Sequence, residues 1–414
     1  MIAVVGAGPA GLMAAEVAAL SGFRVTVYDH MPRPGRKFLL AGRGGLNLTH
    51  SEPLESFLGR YREGAERLQP VIAAFPPKAL RDWADGLGAE TFVGSSQRVF
   101  PKAMKASPLL RRWLQRLGAL GVRFEGRMHW TGFAEAGVRF VKDDVETVIA
   151  ADALILAVGG ASWPELGSDG GWRTPLRALG ATITPFEASN AAMLVDWPPL
   201  VATLSGAPFK MIDLAVGAER FRGEAILTAQ GMEGGVVYAA SSAIRRALQH
   251  GGPARVHLDL QPNRDAASIA ARLSARDPKR SLGPWLQKTL GLSPPAARLI
   301  TSRLFQCGPE PIGPLIKTFP IKVHAMAPLD RAISTAGGLC WEELDDDLML
   351  KRRPGVFAAG EMLDWDAPTG GYLMQACFAT GRAAGLAAAA FAAAKASDAS
   401  TIGGVRPNAQ TLQA

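Results

Sequence analysis

Gly6, Gly8 and Gly11 stand at the spacing G-x-G-x-x-G directly after the apolar run Ile2–Val5. This pattern acts through bare backbone: Gly6 permits a tight turn, Gly8 lets the chain approach a pyrophosphate, and Gly11 lets the next helix lie close to the strand. The helix opened by Pro9 and Ala10 presents N–H groups and a positive dipole end to phosphate. Gly22 stops that helix, and Arg24–Tyr28 reads as a second strand closed by Asp29, an acceptor for ribose hydroxyls, with His30 beside it. A glycine triplet alone arises by accident in a chain with 46 glycines. Strand, helix, second strand and terminal acid in this order make that reading the weaker one. Asp29 argues against a 2′-phosphate, which would set like charges together, so FAD or NAD fits better than NADP.

Further glycine-rich segments extend the pattern. His30–His50 holds too many glycines and prolines to be a regular element. Its Gly35-Arg36-Lys37 and Gly42-Arg43-Gly44-Gly45 put cations and bare backbone where the phosphates and ribityl chain of a long dinucleotide would run; an ordinary surface loop is the alternative. Loops of this length in a compact domain are usually functional or disordered, and Phe38, Leu39 and Leu40 speak against disorder. Ala153–Val158 is wholly apolar, as expected of a parallel strand covered on both faces. Ligands of doubly wound folds lie beyond the carboxyl ends of such strands, so Ala157, Val158 and Gly159 should return the chain to the cofactor. Gly167-Ser168-Asp169-Gly170 reads equally as a plain turn. Near the C-terminus, Gly355–Asp364 is a short buried strand ending in Gly360-Glu361, and Thr369-Gly370-Gly371-Tyr372 opens a helix through Phe391.

The elements that position these residues follow from periodicity. Residues 54–90 recur at helical spacing and break at Pro76 and Pro77, and Leu109–Leu120 is a further helix. After Pro185 the composition shifts: Met211–Val216, Glu224–Leu227 and Val256–Leu260 alternate as antiparallel strands do. Short helices follow at Ala266–Ala275, Pro284–Leu290 and Pro295–Phe305. The expected class is α/β, a Rossmann-like domain carrying an inserted domain of mixed strands and helices. Its parts are 1–189, the insert 190–330, the returning part 331–396, and a flexible tail 397–414.

A chain of 414 residues can bury a sizeable core. Its net charge of +8 is uneven: residues 22–127 carry 18 Lys/Arg against 9 Asp/Glu, and residues 245–331 carry 14 against 5. An anionic cofactor accounts for part of the first excess, and the second would steer an anionic substrate or nucleic acid, unless these are solvated surface charges. Cys307, Cys340 and Cys377 form no C-x-x-C pair, so neither a metal nor a redox motif is expected. Cys307 and Cys377 read as core thiols, and His257 and His324 as satisfied histidines. No basic, apolar leader follows Met1. The longest apolar run, Leu386–Ala394, falls short of the ~20 residues of a membrane span. A cytoplasmic protein that does not enter a membrane is expected.

Taken together, GAGPAGLMAA, GRKFLLAGRGGLNLTH, RVFPKAMKAS, AVGGASWPELGSDG, TAGGL and FAAGEMLDWDAPTGGYLMQACFATGRAAG resemble the BaiN/YhiN-like flavoproteins, also described as aminoacetone-oxidase-type enzymes. The blocks run in family order from residue 1 to about residue 390. The resemblance implies FAD in a glutathione-reductase-type fold with an inserted cap or substrate domain. It implies cofactor contact at Arg36, Gly42, Asn47, Gly159, Gly360 and the Gly371 turn. Gly370-Gly371-Tyr372-Leu373 would aim N–H groups at the N1/O2 edge of the ring, where a helix N-terminus stabilises the charge of reduced flavin. Glu361 suits a ribityl hydroxyl. Met128 reads as a backbone contact near the adenine or as a core methionine. Where many relatives carry G-G-G-R-C-N, this chain has Gly42-Arg43-Gly44-Gly45-Leu46-Asn47, a departure pointing to a subfamily with a different substrate.

The function expected is an FAD-dependent oxidoreductase, a reductase of an activated double bond, with the protein orienting substrate for the cofactor's chemistry. The family link to uridine in ribosomal RNA and to amine oxidation gives two further enzyme readings, and a flavin-binding sensor without catalysis is a third alternative. No second G-x-G-x-x-G follows a strand, so NAD(P)H, if it is the donor, has no dedicated domain. Arg43 and Asn47 are the polar groups singled out for orienting substrate; no acid/base constellation is visible.

Overall fold

The structure, a computed structural model, describes residues 1–42, 44–135, 137–276 and 279–402. Two compact units divide the chain, one of Met1–Phe186 with Ala336–Ala414 and the other of Glu187–Thr335. The sequence expectation sets its boundaries at 189/190 and 330/331, whereas the contact division falls at 186/187 and 335/336. The chain passes between the units in the strands Ile183–Ser189 and Ser334–Leu339, which pair with one another.

The first unit is built on β1 (Ile2–Val5), α1 (Pro9–Leu20) and β2 (Val25–Asp29). Its five-stranded sheet runs Val356–Ala358, Ala153–Leu156, β1, β2, Arg123–Gly126, every pair parallel. β1 and the strand Ala153–Leu156 are buried at every position. This follows from cover on both faces. Tyr28 of β2 meets Phe140 of a three-stranded antiparallel sheet at a ring separation of 4.8 Å. On the other side α1 lies against the C-terminal helix Tyr372–Ile402. That approach requires glycine: a Cβ on Gly381 would stand 2.2 Å from the Ala10 carbonyl oxygen, and one on Gly385 2.7 Å from that of Ala14.

The C-terminal helix is longer than the sequence reading, which stopped it at Phe391 and began a tail at 397; residues 403–414 of that tail lie outside the described residues. Alanine spacing had masked its length, because small residues carry little hydrophobic contrast. Tyr372–Ser397 is long and apolar enough to cross a membrane by length and composition, and most of its apolar stretch is buried within this unit. A second correction concerns His30–His50, expected to be irregular. It contains α2 (Arg36–Ala41) and the short strand β3 (Thr49–His50). Here Gly35, at φ 71°, turns the chain into the helix and Phe38 anchors it in the core.

The second unit is a seven-stranded antiparallel sheet in the order Phe319–Val323, Ala254–Asp259, Pro208–Val216, Glu219–Thr228, Gly231–Glu233, Met193–Leu194, Ala325–Met326. Alternation gives it one buried face, with Leu214, Val256 and Leu258 packed with the helix Gly235–Gln249 through Ile244. The opposite side chains, among them Arg220, Arg222, Arg255 and Lys322, are exposed. Cys307 is exposed rather than a core thiol, because it sits on the last turn of the helix Pro294–Cys307. Cys377 is buried in the first unit. His324 Nε2 lies 2.8 Å from the Asp196 carboxylate, whereas His257 is exposed.

One buried charge fastens α1 to the rest of the first unit. Glu16, 2% exposed, accepts hydrogen bonds from the indoles of Trp83 (3.2 Å) and Trp113 (2.5 Å) and from the Arg116 guanidinium (2.8 Å). Replacing it with Leu leaves these donors without their acceptor, and buried unpaired groups cost about 1–3 kcal/mol each. Chemical denaturation of Glu16→Leu should therefore show a loss of at least about 1 kcal/mol relative to the parent chain.

Candidate cofactor and active site

A cavity of about 960 Å³, its open mouth included, lies in the first unit beyond the carboxyl ends of its parallel strands. The glycine turn supplies Gly6, Gly8, Pro9 and Ala10; the end of β2 supplies Asp29 and His30. Gly35, Arg36 and Lys37 enter from α2, Met128 from the stretch before the three-stranded sheet, Ala157, Val158 and Gly159 from the end of the strand Ala153–Leu156, and Gly360 and Glu361 from beyond Val356–Ala358. Residues separated by more than three hundred positions thus face one space.

The turn has a definite cause. Gly6 adopts φ 102°, and a Cβ there would stand 2.1 Å from the Ala157 carbonyl oxygen. A Cβ on Gly11 would fall 1.9 Å from the Gly6 carbonyl oxygen, so Gly11 serves packing and lies behind the cavity wall. Gly8, the residue before α1, has open space where its Cβ would be. Asp29 holds the turn from the side: its Oδ2 accepts from the Ala7 N–H (2.6 Å) and its Oδ1 from the Met31 N–H (2.7 Å). Burial raises the Asp29 carboxyl above its ordinary value, and those two N–H groups partly offset the rise. A carboxylate has about four acceptor sites, so two such bonds leave capacity for ribose hydroxyls.

Farther along, Lys37 Nζ donates to Glu361 Oε2 and to Ser162 Oγ, both at 2.7 Å. The lysine and glutamate read separately for phosphate and ribityl contact are therefore an ion pair spanning α2 and the segment after Val356–Ala358. Cys377 lines the cavity beside Gly360, and burial pushes its thiol up.

Other predicted residues gather elsewhere in the unit. Gly42 packs on Ala106, Gly44 is exposed, and Arg43 lies outside the described residues. Asn47 Nδ2 donates to the carbonyls of Thr49 (2.9 Å) and Val99 (3.3 Å), while its buried Oδ1 has no hydrogen-bond partner. Gly371 packs on the Thr49 backbone, a Cβ there falling 2.5 Å from the Thr49 Cα. Gly371, Tyr372 and Leu373 do not line the cavity.

Around Tyr372 stands a polar cluster that sequence reasoning missed. The Tyr372 hydroxyl donates to Glu52 Oε1 (2.5 Å), and Arg60 holds both Glu52 oxygens through Nε and Nη2 (3.2 and 2.8 Å). The His50 ring stacks on Tyr372 at 5.4 Å; its Nδ1 accepts from the Glu52 N–H and its Nε2 meets the Ser96 carbonyl. Burial, then Glu52, raises the Tyr372 phenol well above its ordinary value. Thr49 Oγ1 donates to Gln375, whose amide donates to the Phe75 carbonyl. No local motif marks this cluster, since Glu52 and Tyr372 are 320 residues apart.

The arrangement suits FAD. Bare backbone at Gly8 faces open space, an acid closes β2, and four strand ends contribute to the lining of one cavity. One buried hydroxyl in its wall, Ser168 Oγ, has no hydrogen-bond partner among the described residues. A parallel sheet with this turn at its first strand defines a Rossmann-type dinucleotide-binding protein. The chain belongs to the HI0933-like Rossmann domain family, whose profile matches residues 1–387, and this is the BaiN/YhiN-type flavoprotein family indicated by the sequence blocks. It is an FAD-dependent oxidoreductase. Among its relatives are a 3-dehydro-bile acid delta(4,6)-reductase of Clostridium scindens, 25% identical over 94% of this chain and 98% of that one. A ribosomal RNA dihydrouridine synthase of Escherichia coli is 24% identical over 90% of this chain and 94% of the other. A flavocytochrome c3 fumarate reductase shares the fold with a TM-score of 0.53 at 15% identity, over 95% of this chain and 78% of that one.

The Tyr372 cluster makes a pH prediction. Burial lowers the His50 ring below its ordinary 6.5; for Glu52 burial acts upward, but the Arg60 and Tyr372 hydrogen bonds prevail and hold it below 4.5. In both cases the unfolded chain takes up the proton first, so stability falls as pH drops below about 6.5 for His50 and below about 4.5 for Glu52. Urea midpoints measured from pH 7 to pH 4 should decline, and Glu52→Gln should flatten the lower part of the decline.

Proposed function

We propose that this flavoprotein reduces a ring carbon–carbon double bond conjugated to a carbonyl. The observation that carries the reading is that two relatives, each aligned over at least 90% of this chain, are named for adding hydrogen to ring double bonds. FAD held in this cavity would supply, in its reduced form, the hydride that such a reduction needs at the carbon distant from the carbonyl, with a proton completing the adjacent carbon. In this reading the N–H groups at the start of α1 and the backbone at Gly8 hold the diphosphate, Asp29 takes the adenosine ribose, and Met128 lies near the adenine. Arg36, Lys37 and Glu361 would serve the phosphates and ribityl chain. The clamp on the Asn47 amide leaves its Oδ1 as an acceptor for cofactor or substrate, which makes Asn47 a positioning group rather than a proton donor. The donor proposed is NADH or NADPH, reacting by ping-pong exchange, and the three unpaired cysteines suit a cytoplasmic setting.

A specific observation favours RNA uridine as the substrate in a second reading. Arg220, Arg255 and Lys322 stand on the exposed face of the second unit's sheet without an ion-pair partner among the described residues. Phosphodiester contact by such cations gives affinity that falls steeply with salt.

The decisive experiment is anaerobic. Protein reduced with dithionite should be reoxidised rapidly by a conjugated cyclic enone or by uridine-containing RNA, and not by their saturated counterparts, and an amine should not bleach the oxidised protein. Bleaching of the oxidised protein by amines with no reoxidation of the reduced protein by enone or RNA, or reoxidation only once air is admitted, would overturn the reductase reading. RNA turnover with an unchanged KM between 50 and 200 mM salt would remove the role of the basic sheet face.

A further inference from the structure

The Gly167-Ser168-Asp169-Gly170 turn is more than a connection between elements. Ser168 is 4% exposed, its Oγ has no hydrogen-bond partner, and it lines the cavity. The polar groups around it are satisfied. Asp169 Oδ1 accepts from the Gly171 N–H (2.9 Å), the Trp172 indole donates to the Gly159 carbonyl (2.9 Å), and Arg173 Nε donates to the Gly170 carbonyl (3.0 Å). These bonds tie the turn down while the buried Ser168 hydroxyl has none among the described residues, and leaving a buried hydroxyl unpaired is unfavourable unless a ligand completes it.

Its place in the cavity says which part of the ligand that is. Gly167 packs on Met31 and His30, a Cβ there lying 2.8 Å from Met31 Cγ and 3.1 Å from His30 Nε2. Those residues directly follow Asp29, the ribose acceptor at the end of β2. On its other side Ser168 Oγ is 3.4 Å from the Cβ position of Gly159. The hydroxyl therefore sits between Gly159 and the residues that follow Asp29, at the adenosine end of the cavity.

We propose that Ser168 is a hydrogen-bonding residue for the adenosine diphosphate half of FAD, in the stretch of wall it shares with His30, Met31 and Gly159. The assignment rests on the reading that FAD occupies this cavity. The hydroxyl can donate or accept, so it serves a ribose oxygen or an adenine nitrogen equally.

The test compares Ser168→Ala with the parent full-length chain, both stripped of flavin, by calorimetric titration with FAD, ADP and FMN. Losing one hydrogen bond should weaken FAD and ADP by the same factor, roughly 3- to 10-fold, and leave FMN unaffected. The thermal midpoint of the flavin-free variant should be no lower than that of the parent, because the residue removed is an unpaired buried hydroxyl. Equal FAD and ADP affinities in parent and variant would overturn the assignment of Ser168 while leaving the cavity as the FAD site. A parent chain that binds neither FAD nor ADP would overturn the cofactor placement itself. A lowered flavin-free midpoint with Ser168→Ala, repeated with Ser168→Cys, would mark the residue as structural and also count against the proposal.

Discussion

The close approach of three backbones at Gly6 governs the first unit. β1 can run between β2 and Ala153–Leu156 and still turn at once into α1 only if residue 6 has no side chain, since a Cβ would meet the Ala157 carbonyl oxygen. Asp29 then holds the turn through the Ala7 N–H. The same carboxylate fixes the turn and closes the strand beside it, so the geometry that binds phosphate and the geometry that meets ribose are coupled. Small residues extend the constraint outward: α1 lies against the C-terminal helix because Gly381 and Gly385 admit the Ala10 and Ala14 backbones.

Around this centre the polar groups fall into two kinds. Some are satisfied by the chain alone, such as Glu16 with its indoles and Arg116, or Glu52 with Tyr372 and Arg60. These contribute rigidity. Others are buried with capacity to spare, such as Asn47 Oδ1 and Ser168 Oγ. A ligand that completes such groups binds the folded chain and not the unfolded one, so it stabilises the fold as well as occupying the site. Holding a cofactor along so many separate strands also joins parts of the unit that sequence keeps far apart.

The sequence was most legible where structure is local. β1, α1 and β2 follow from an apolar run, a glycine turn and a second apolar run, and Ala153–Leu156 announced itself by its unbroken apolarity. The antiparallel alternation of 211–216 and 256–260 likewise appears as paired strands. Legibility failed where contacts are distant or contrast is low. α2 was hidden among glycines and prolines, and the C-terminal helix ran past its expected end in a stretch of alanine. The Lys37–Glu361 pair joins positions 324 residues apart, and the Tyr372–Glu52 bond joins positions 320 apart. No spacing rule reaches that far, so residues whose types were noticed had partners that could not be named. Gly371 illustrates the point: its glycine is explained first by the Thr49 backbone that it packs against.

Gly8 offers the most direct test that this turn holds the FAD diphosphate. Its backbone sits at φ −80°, where any residue is tolerated, and the space beyond its missing Cβ is open. Valine there should leave the flavin-free chain folded and fill the room that a diphosphate needs. Titrating FAD into flavin-free Gly8→Val, with thermal unfolding as the control, should show an unchanged midpoint and FAD binding lost. A variant that binds FAD as tightly as the parent chain would contradict the account.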